Sequence, residues 1–246
     1  MHKSKNLMKK LERKLSLSAA IAISIAGMLG GIFVLPGIAA VKTGPSVWLA
    51  FLLAAISILP AVLSKSELAT AMPKSGGAYV YIERAFGPMM GTISGLGLWI
   101  SLLLKSSFAL VGLGAYLFVL VNIPPEFIKY ISLVFLFLIM LLNIFGIKKV
   151  GRVQIVIVSL SLLGLVSLLF IGVPVVDKKM LQPFMNNGSG AFLSTIAFVY
   201  ISYAGVTKIA AIAGEVKNPS KNLPLAMILS LFIISSIYIA ITYTLV

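Results

Sequence analysis

Long apolar stretches, separated by short polar ones, run almost the whole length of the chain. Seven of them lie at 17–41, 47–71, 86–121, 127–144, 153–176, 191–213 and 223–246. Each is long enough to cross a bilayer, because a helix rises about 1.5 Å per residue and the hydrocarbon core is about 30 Å thick. The runs are continuous, whereas the strands of a membrane barrel alternate over about ten residues, so strands are not expected. The pattern predicts an all-α integral membrane protein of about seven spans. A basic segment, 1–16, precedes a membrane domain at 17–246. The first run exceeds a signal-peptide core and is followed at once by a second, so it reads as a retained helix.

Composition agrees with this reading. Apolar residues make up 60% of the chain and charged residues 11%, against roughly a half and a quarter in soluble domains. There is no cysteine, so no disulfide or thiolate chemistry, and the only histidine is His2. No metal site and no cofactor are predicted.

The net charge of +14 raises the question of nucleic acid, and its distribution answers it. With the N-terminus in the cytoplasm, one face collects Lys3, Lys5, Lys9, Lys10, Arg13, Lys14, Lys65, Lys74, Arg84, Lys148, Lys149, Arg152, Lys217 and Lys221. The opposite face keeps Lys42, Lys129, Lys178 and Lys179. This asymmetry is the positive-inside bias and predicts a multi-pass protein of the cell membrane with its N-terminus cytoplasmic. A nucleic-acid partner calls for basic residues on a folded face with stacking aromatics, which is absent, so the partners expected are the lipid bilayer and a small molecule. The longest loop, with Asp177, Lys178, Lys179, Asn186, Asn187 and Gly188, has no room for a soluble domain. Function is therefore expected within or between the helices. The chain stops inside an apolar run, which reads as a truncation in the seventh span; the alternative is a natural seven-span protein.

Two segments interrupt the helical pattern. The first is Gly27-Met28-Leu29-Gly30-Gly31, where each glycine lowers helix propensity by about 1 kcal/mol. Broken helices in lipid persist where they line an enclosed cavity, and their half-helix ends offer bare N–H groups to an anion and bare C=O groups to a cation. Close helix packing through small residues explains the glycines equally well. The second is Ser202-Tyr203-Ala204-Gly205 in the sixth span, followed by Lys208. Interruptions five helices apart are what an inverted repeat of five helices produces.

Three stretches give the chain a specific resemblance: the span-one glycines running into Gly31-Ile32-Phe33 and Pro36-Gly37; Pro73-Lys74-Ser75-Gly76-Gly77-Ala78-Tyr79 with Phe86-Gly87-Pro88; and Tyr203-Ala204-Gly205 followed by Gly214-Glu215-Val216-Lys217-Asn218-Pro219 and Asn222-Leu223-Pro224. In this order, over essentially the whole chain, they resemble the amino acid–polyamine–organocation (APC) transporter superfamily. The resemblance implies a LeuT-type inverted-repeat fold, with the first repeat complete and the second partial. It also implies secondary transport of an amino acid by alternating access, coupled to H+ or Na+. The substrate is then expected between the two interruptions, its carboxylate at the N–H groups of Gly27–Gly31 and its ammonium group at the carbonyls near Tyr203–Gly205. The family commonly reads Gly-x-Gly-Ile-Phe where this chain has Gly30-Gly31-Ile32-Phe33, one residue shorter.

Two lysines lie within spans, Lys105 in the third and Lys208 after the second interruption. A lysine at a span centre costs roughly 3 kcal/mol on insertion scales, so such residues face a cavity or a partner. Both are candidates for coupling; snorkelling is the alternative for Lys208. Some proton-coupled relatives place a lysine in span five, where this chain has Ser161. The two lysines disfavour a polyamine substrate and favour neutral or acidic amino acids. Glu67 and Glu215, near span ends, are expected as structural or gating partners of nearby lysines. Trp48 and Trp99 read as interfacial anchors or core residues. Two other functions are compatible with parts of the sequence: an intramembrane hydrolase pairing Lys105 with Ser101 or Ser106, which lacks a recognisable oxyanion hole, and a transport-incompetent fragment that assembles with a full-length relative.

Overall fold

A computed structural model of the chain describes residues 13–121, 124–144, 147–172, 174, 182, 184–185 and 187–245. The basic tail with Lys3, Lys5, Lys9 and Lys10, and the loop residues Asp177, Lys178, Lys179 and Asn186, lie outside the described residues, as does the side chain of Lys148.

The described residues form nine α-helices: α1 Leu17–Thr43, α2 Val47–Ala71, α3 Ala78–Phe86, α4 Pro88–Val121, α5 Pro125–Ile144, α6 Ile147–Gly172, α7 Gly188–Tyr203, α8 Lys208–Ala211 and α9 Pro219–Thr244. α1 and α2 form one apolar stretch of 55 residues, Leu17–Ala71, divided by the 3-10 turn Gly44–Ser46. As a straight rod this stretch would reach about 80 Å. Both helices instead pack against α7 and α9, so each is a separate span. With α4, α5, α6, the α7–α8 segment and α9, seven spans result.

The core is the bundle of α1, α2, α7 and α9. At its centre the rings of Phe51, Tyr203 and Tyr238 meet at steep angles, with centroids 5.3 Å apart for Phe51–Tyr238, edge to face, and for Tyr203–Tyr238, tilted. The Tyr203 hydroxyl donates to the Phe51 carbonyl at 3.1 Å, and that of Tyr238 to the Met28 carbonyl at 2.5 Å. Each phenol thus finds an acceptor inside the apolar core, as a buried hydroxyl requires. α4 and α5 contribute little to this core and expose large apolar side chains such as Ile93, Trp99, Phe108, Phe135 and Phe137. Lipid tails are as apolar as leucine, so such exposure costs nothing in a bilayer.

The sequence pattern needs two corrections here. The third apolar run contains a separate short helix, α3, which Gly87 in the left-handed region (φ +88°) and Pro88 set off from α4. α3 packs along α4, where Gly91 and Gly95 leave room for Glu83 and Tyr79. Outside the spans, Glu83 beside Tyr79 pushes that phenol above its ordinary pKa. The second correction concerns α1, which is helical without interruption through Gly27, Gly30, Gly31 and Pro36. Three glycines weaken a helix by about 3 kcal/mol in all. Opening it in lipid frees several backbone groups at several kcal/mol each, and the larger penalty wins. The sixth span is interrupted as expected: α7 ends at Tyr203, a 3-10 turn covers Ala204–Thr207, and α8 lasts one turn before a further 3-10 turn, Ala213–Glu215.

The two ends of the bundle are closed differently. Where α1 begins, Leu15 pairs as an isolated parallel bridge with Val216. Its N–H donates to the Glu215 carbonyl and its carbonyl accepts from the Lys217 N–H, both at 2.9 Å. At the opposite end the Ser46 N–H donates to the Phe184 carbonyl at 3.0 Å, and the Asn187 side-chain amide to the Lys42 carbonyl at 2.8 Å. Trp48 packs edge-on against Phe184 and Tyr243 there, so it belongs to an aromatic cluster, whereas Trp99 is exposed on α4.

Candidate functional site

The interruption in the sixth span meets α1 at a glycine–glycine crossing. A Cβ on Gly205 would fall on the Gly27 carbonyl, and one on Gly27 would sit 2.9 Å from both the Gly205 oxygen and Lys208 Cδ. Only two residues without side chains permit this backbone contact. Gly31 packs similarly, its Cβ position 3.0 Å from Ser202 Cβ. Ser202 is buried and its hydroxyl has no partner among the described residues. Met28 and Leu29 turn their side chains into the core. Gly27 and Gly31 therefore serve close packing here, and the N–H groups of α1 stay in its helical ladder.

Gly30 differs from its neighbours, since nothing lies within 4 Å of its Cβ position. One turn on, Val34 lies 3.3 Å from the Cβ position of Gly112 on α4, and one turn back Lys105 Nζ donates from α4 to the Gly27 carbonyl at 2.9 Å. One turn beyond, the Tyr116 hydroxyl donates to the Phe33 carbonyl, and the two rings meet edge to face. Between these two bridging layers the backbones of α1 and α4 stand apart. Gly30 is thus exposed to an open gap, with Lys105 on one side and the Phe33–Tyr116 pair on the other.

Three amines surround the interruption. Lys105 and Lys208 converge on Gly27 and are close enough to repel one another. On the other side of the 3-10 turn, Lys65 Nζ donates to Thr207 Oγ1 at 3.3 Å. The charge pattern counts Lys65 with the cytoplasmic face, near the end of the second run; in the structure it lies on α2, half-buried and reaching inward. The carbonyls freed by the interruption are met in part by side chains. Ser24 Oγ donates to the Val206 carbonyl at 2.9 Å and also contacts Ser230 Oγ at 2.7 Å. Ala204 is exposed beside the crossing.

The remaining candidates fall elsewhere. Glu67 is exposed on α2, two residues from Lys65 and so on another helix face. Glu215 contributes its carbonyl to the Leu15 bridge. Ser106 donates to the Leu102 carbonyl of its own helix while Lys105 bonds Gly27, so no Ser–Lys pair forms. Sequence reasoning missed Ser24, Tyr116 and Tyr238, whose partners lie 83 to 210 residues away. Hydroxyl groups inside apolar runs were their only signal.

Comparison with known proteins agrees with this architecture. Residues 19–246 match the amino acid permease family. The branched-chain amino acid permease BcaP of Bacillus subtilis is 33% identical over 255 residues, covering 95% of this chain and 54% of that protein. The serine/threonine exchanger SteT of Bacillus subtilis is 29% identical, covering 96% of this chain and 55% of its own length. The human cystine/glutamate transporter is 31% identical, with 93% and 48% covered. The chain spans about half the length of the curated relatives it matches. A family match across almost every residue, on a seven-span bundle interrupted in its sixth span, shows that the chain belongs to the amino acid permease family.

Proposed function

We propose that the protein is, or forms part of, a secondary transporter that carries amino acids across the cell membrane by alternating access, with its N-terminus in the cytoplasm. The observation that carries this reading is the open gap at Gly30, bounded by Lys105 and lying beside the interrupted sixth span. A substrate there meets carbonyls of the 3-10 turn with its ammonium group and the lysines with its negative charge. Membrane transporters place their substrates near the bilayer midplane beside interrupted helices. The names of the three relatives given above, a branched-chain amino acid permease, a serine/threonine exchanger and a cystine/glutamate transporter, support the substrate class. Lys105 is the coupling group in this reading. The charged groups facing it are Lys208 and, across the turn, Lys65. Among the described acidic residues none lies deep in a span: Glu67 is exposed near the end of α2, and Glu83, Glu126 and Glu215 lie outside the spans or at their ends.

The test is Gly30→Leu. Because its Cβ position is empty, a leucine fits without disturbing the crossing and fills the gap. Binding of labelled amino acids to the purified variant should be lost while membrane insertion and thermal stability stay at wild-type levels. Unchanged affinity in Gly30→Leu would overturn the location of the site.

A further inference from the structure

We infer that the end of the bundle where α1 begins carries a docking surface for anionic phospholipid, built around Leu15. This residue draws three separate parts of the chain together. Its N–H and carbonyl pair with Glu215 and Lys217, and its side chain lies 3.6 Å from the Cβ position of Gly151 in α6. Each part is basic: Arg13 and Lys14 precede α1, Lys149 and Arg152 open α6, and Lys217 and Lys221 flank the start of α9. All six side chains are exposed, while Glu215, the acidic residue among the described residues of these parts, is half-buried. Helix stability does not call for these charges. A helix start carries a partial positive charge, so cations there are unfavourable, and α1, α6 and α9 all start at this end.

The side chains next to the charges select the partner. Along α6 the exposed residues Lys149, Arg152, Val156 and Leu160 follow one another at three- and four-residue spacing, so they form one stripe. Gly151, Val158 and Leu165 on the other side of the helix are buried. From Arg152 to Val156 the stripe changes from cationic to apolar within about 6 Å along the axis. A phospholipid offers the same order of chemistry, a negative headgroup followed by acyl chains. A nucleic acid or an acidic soluble protein would meet the cations and leave Val156 and Leu160 uncovered. Nucleic acid also calls for stacking aromatics, and residues 13–17, 147–160 and 213–221 contain none. A lipid bound here contacts segments that only Leu15 otherwise holds together, so its binding stabilises the folded bundle.

Thermal unfolding of the purified chain in neutral detergent, titrated with short-chain phosphatidylglycerol or phosphatidylcholine, tests this. Phosphatidylglycerol should raise the unfolding temperature with a saturable midpoint, and phosphatidylcholine should not. Each basic residue at such a surface is worth about fivefold in affinity. Arg152→Gln with Lys217→Gln should therefore shift the phosphatidylglycerol midpoint about thirtyfold, whereas Arg152→Lys with Lys217→Arg should leave it in place. Lys129→Gln, on an exposed residue near the start of α5 at the opposite end, serves as control and should also leave it in place. An equal response to the two lipids, or a midpoint unmoved in the Gln pair, would overturn the inference. Glycerol phosphate matching phosphatidylglycerol at equal concentration would make this a free-anion site and overturn it, as would tighter binding of an oligonucleotide. Should the Gln pair not fold, Arg152→Gln and Lys217→Gln singly, each expected to lose about fivefold, decide the matter.

Discussion

Lys105 bridges α4 to α1 across a gap that few other side chains span, and its partner is a carbonyl rather than a carboxylate. An amine held this way is bound only through hydrogen bonding and is free to exchange its proton when the gap is hydrated. A lysine buried for packing alone behaves differently, since its loss shows up in folding. Lys105→Ala is therefore expected to flatten the pH dependence of amino acid uptake in proteoliposomes, at equal protein and with insertion preserved. An uptake–pH profile coinciding with wild type would rule out coupling through this residue. Lys65 shows how such a role escapes a charge count. Near the end of an apolar run it reads as one more charge of the cytoplasmic face, and the packing of α2 against the interrupted span turns it toward Thr207.

The interruption of the sixth span survives in an apolar setting because other helices supply its hydrogen bonds, Ser24 to the Val206 carbonyl being the most buried. Ser24→Ala leaves that carbonyl unpaired and should destabilise the purified protein by about 1–3 kcal/mol. Ser57→Ala serves as control: its hydroxyl donates within α2 to Leu53 on an exposed face, so its effect should stay within about 0.5 kcal/mol. Equal shifts in thermal unfolding for the two variants would show that Ser24 does not support the interruption. The same physics explains which elements could be read in the sequence. Span positions were legible because length and hydropathy in lipid leave few alternatives. The interruption at Tyr203–Gly205 was legible from hydroxyls and a glycine in one run. The glycines of α1 suggested an equal interruption, but propensity is a weak term beside the penalty for open backbone in lipid. What they provide is the crossing with Gly205, whose partner lies 178 residues further along the chain. α3 was hidden because its apolar residues merge with those of α4, and only Gly87-Pro88 marks the boundary.

At the scale of the whole molecule, the two ends of the bundle give the orientation a physical test. Leu15, Gly76, Ala211 and Lys217 meet at one end through backbone hydrogen bonds, Gly76 N–H to the Ala211 carbonyl among them. Lys74 and Lys217 therefore share an end with the start of α1. Lys42, Ser46, Phe184 and Asn187 meet at the other end. The structure assigns residues to ends, and the charge asymmetry predicts their compartments: under the positive-inside rule the first end, where Lys74 and Lys217 lie, is expected in the cytoplasm. The chain has no cysteine, so single cysteines report without background. In intact cells, cysteines at Lys74, Lys148 and Lys217 should react only with membrane-permeant thiol reagents, and one at Lys178 with impermeant ones as well. Impermeant labelling at Lys217 with protection at Lys178 would invert the orientation while leaving the bundle unchanged. Impermeant labelling at Lys148 alone would instead break the span count, since it would put the α5–α6 connection on the wrong side of the two helices that flank it. The pattern across four positions thus separates an error of direction from an error of topology.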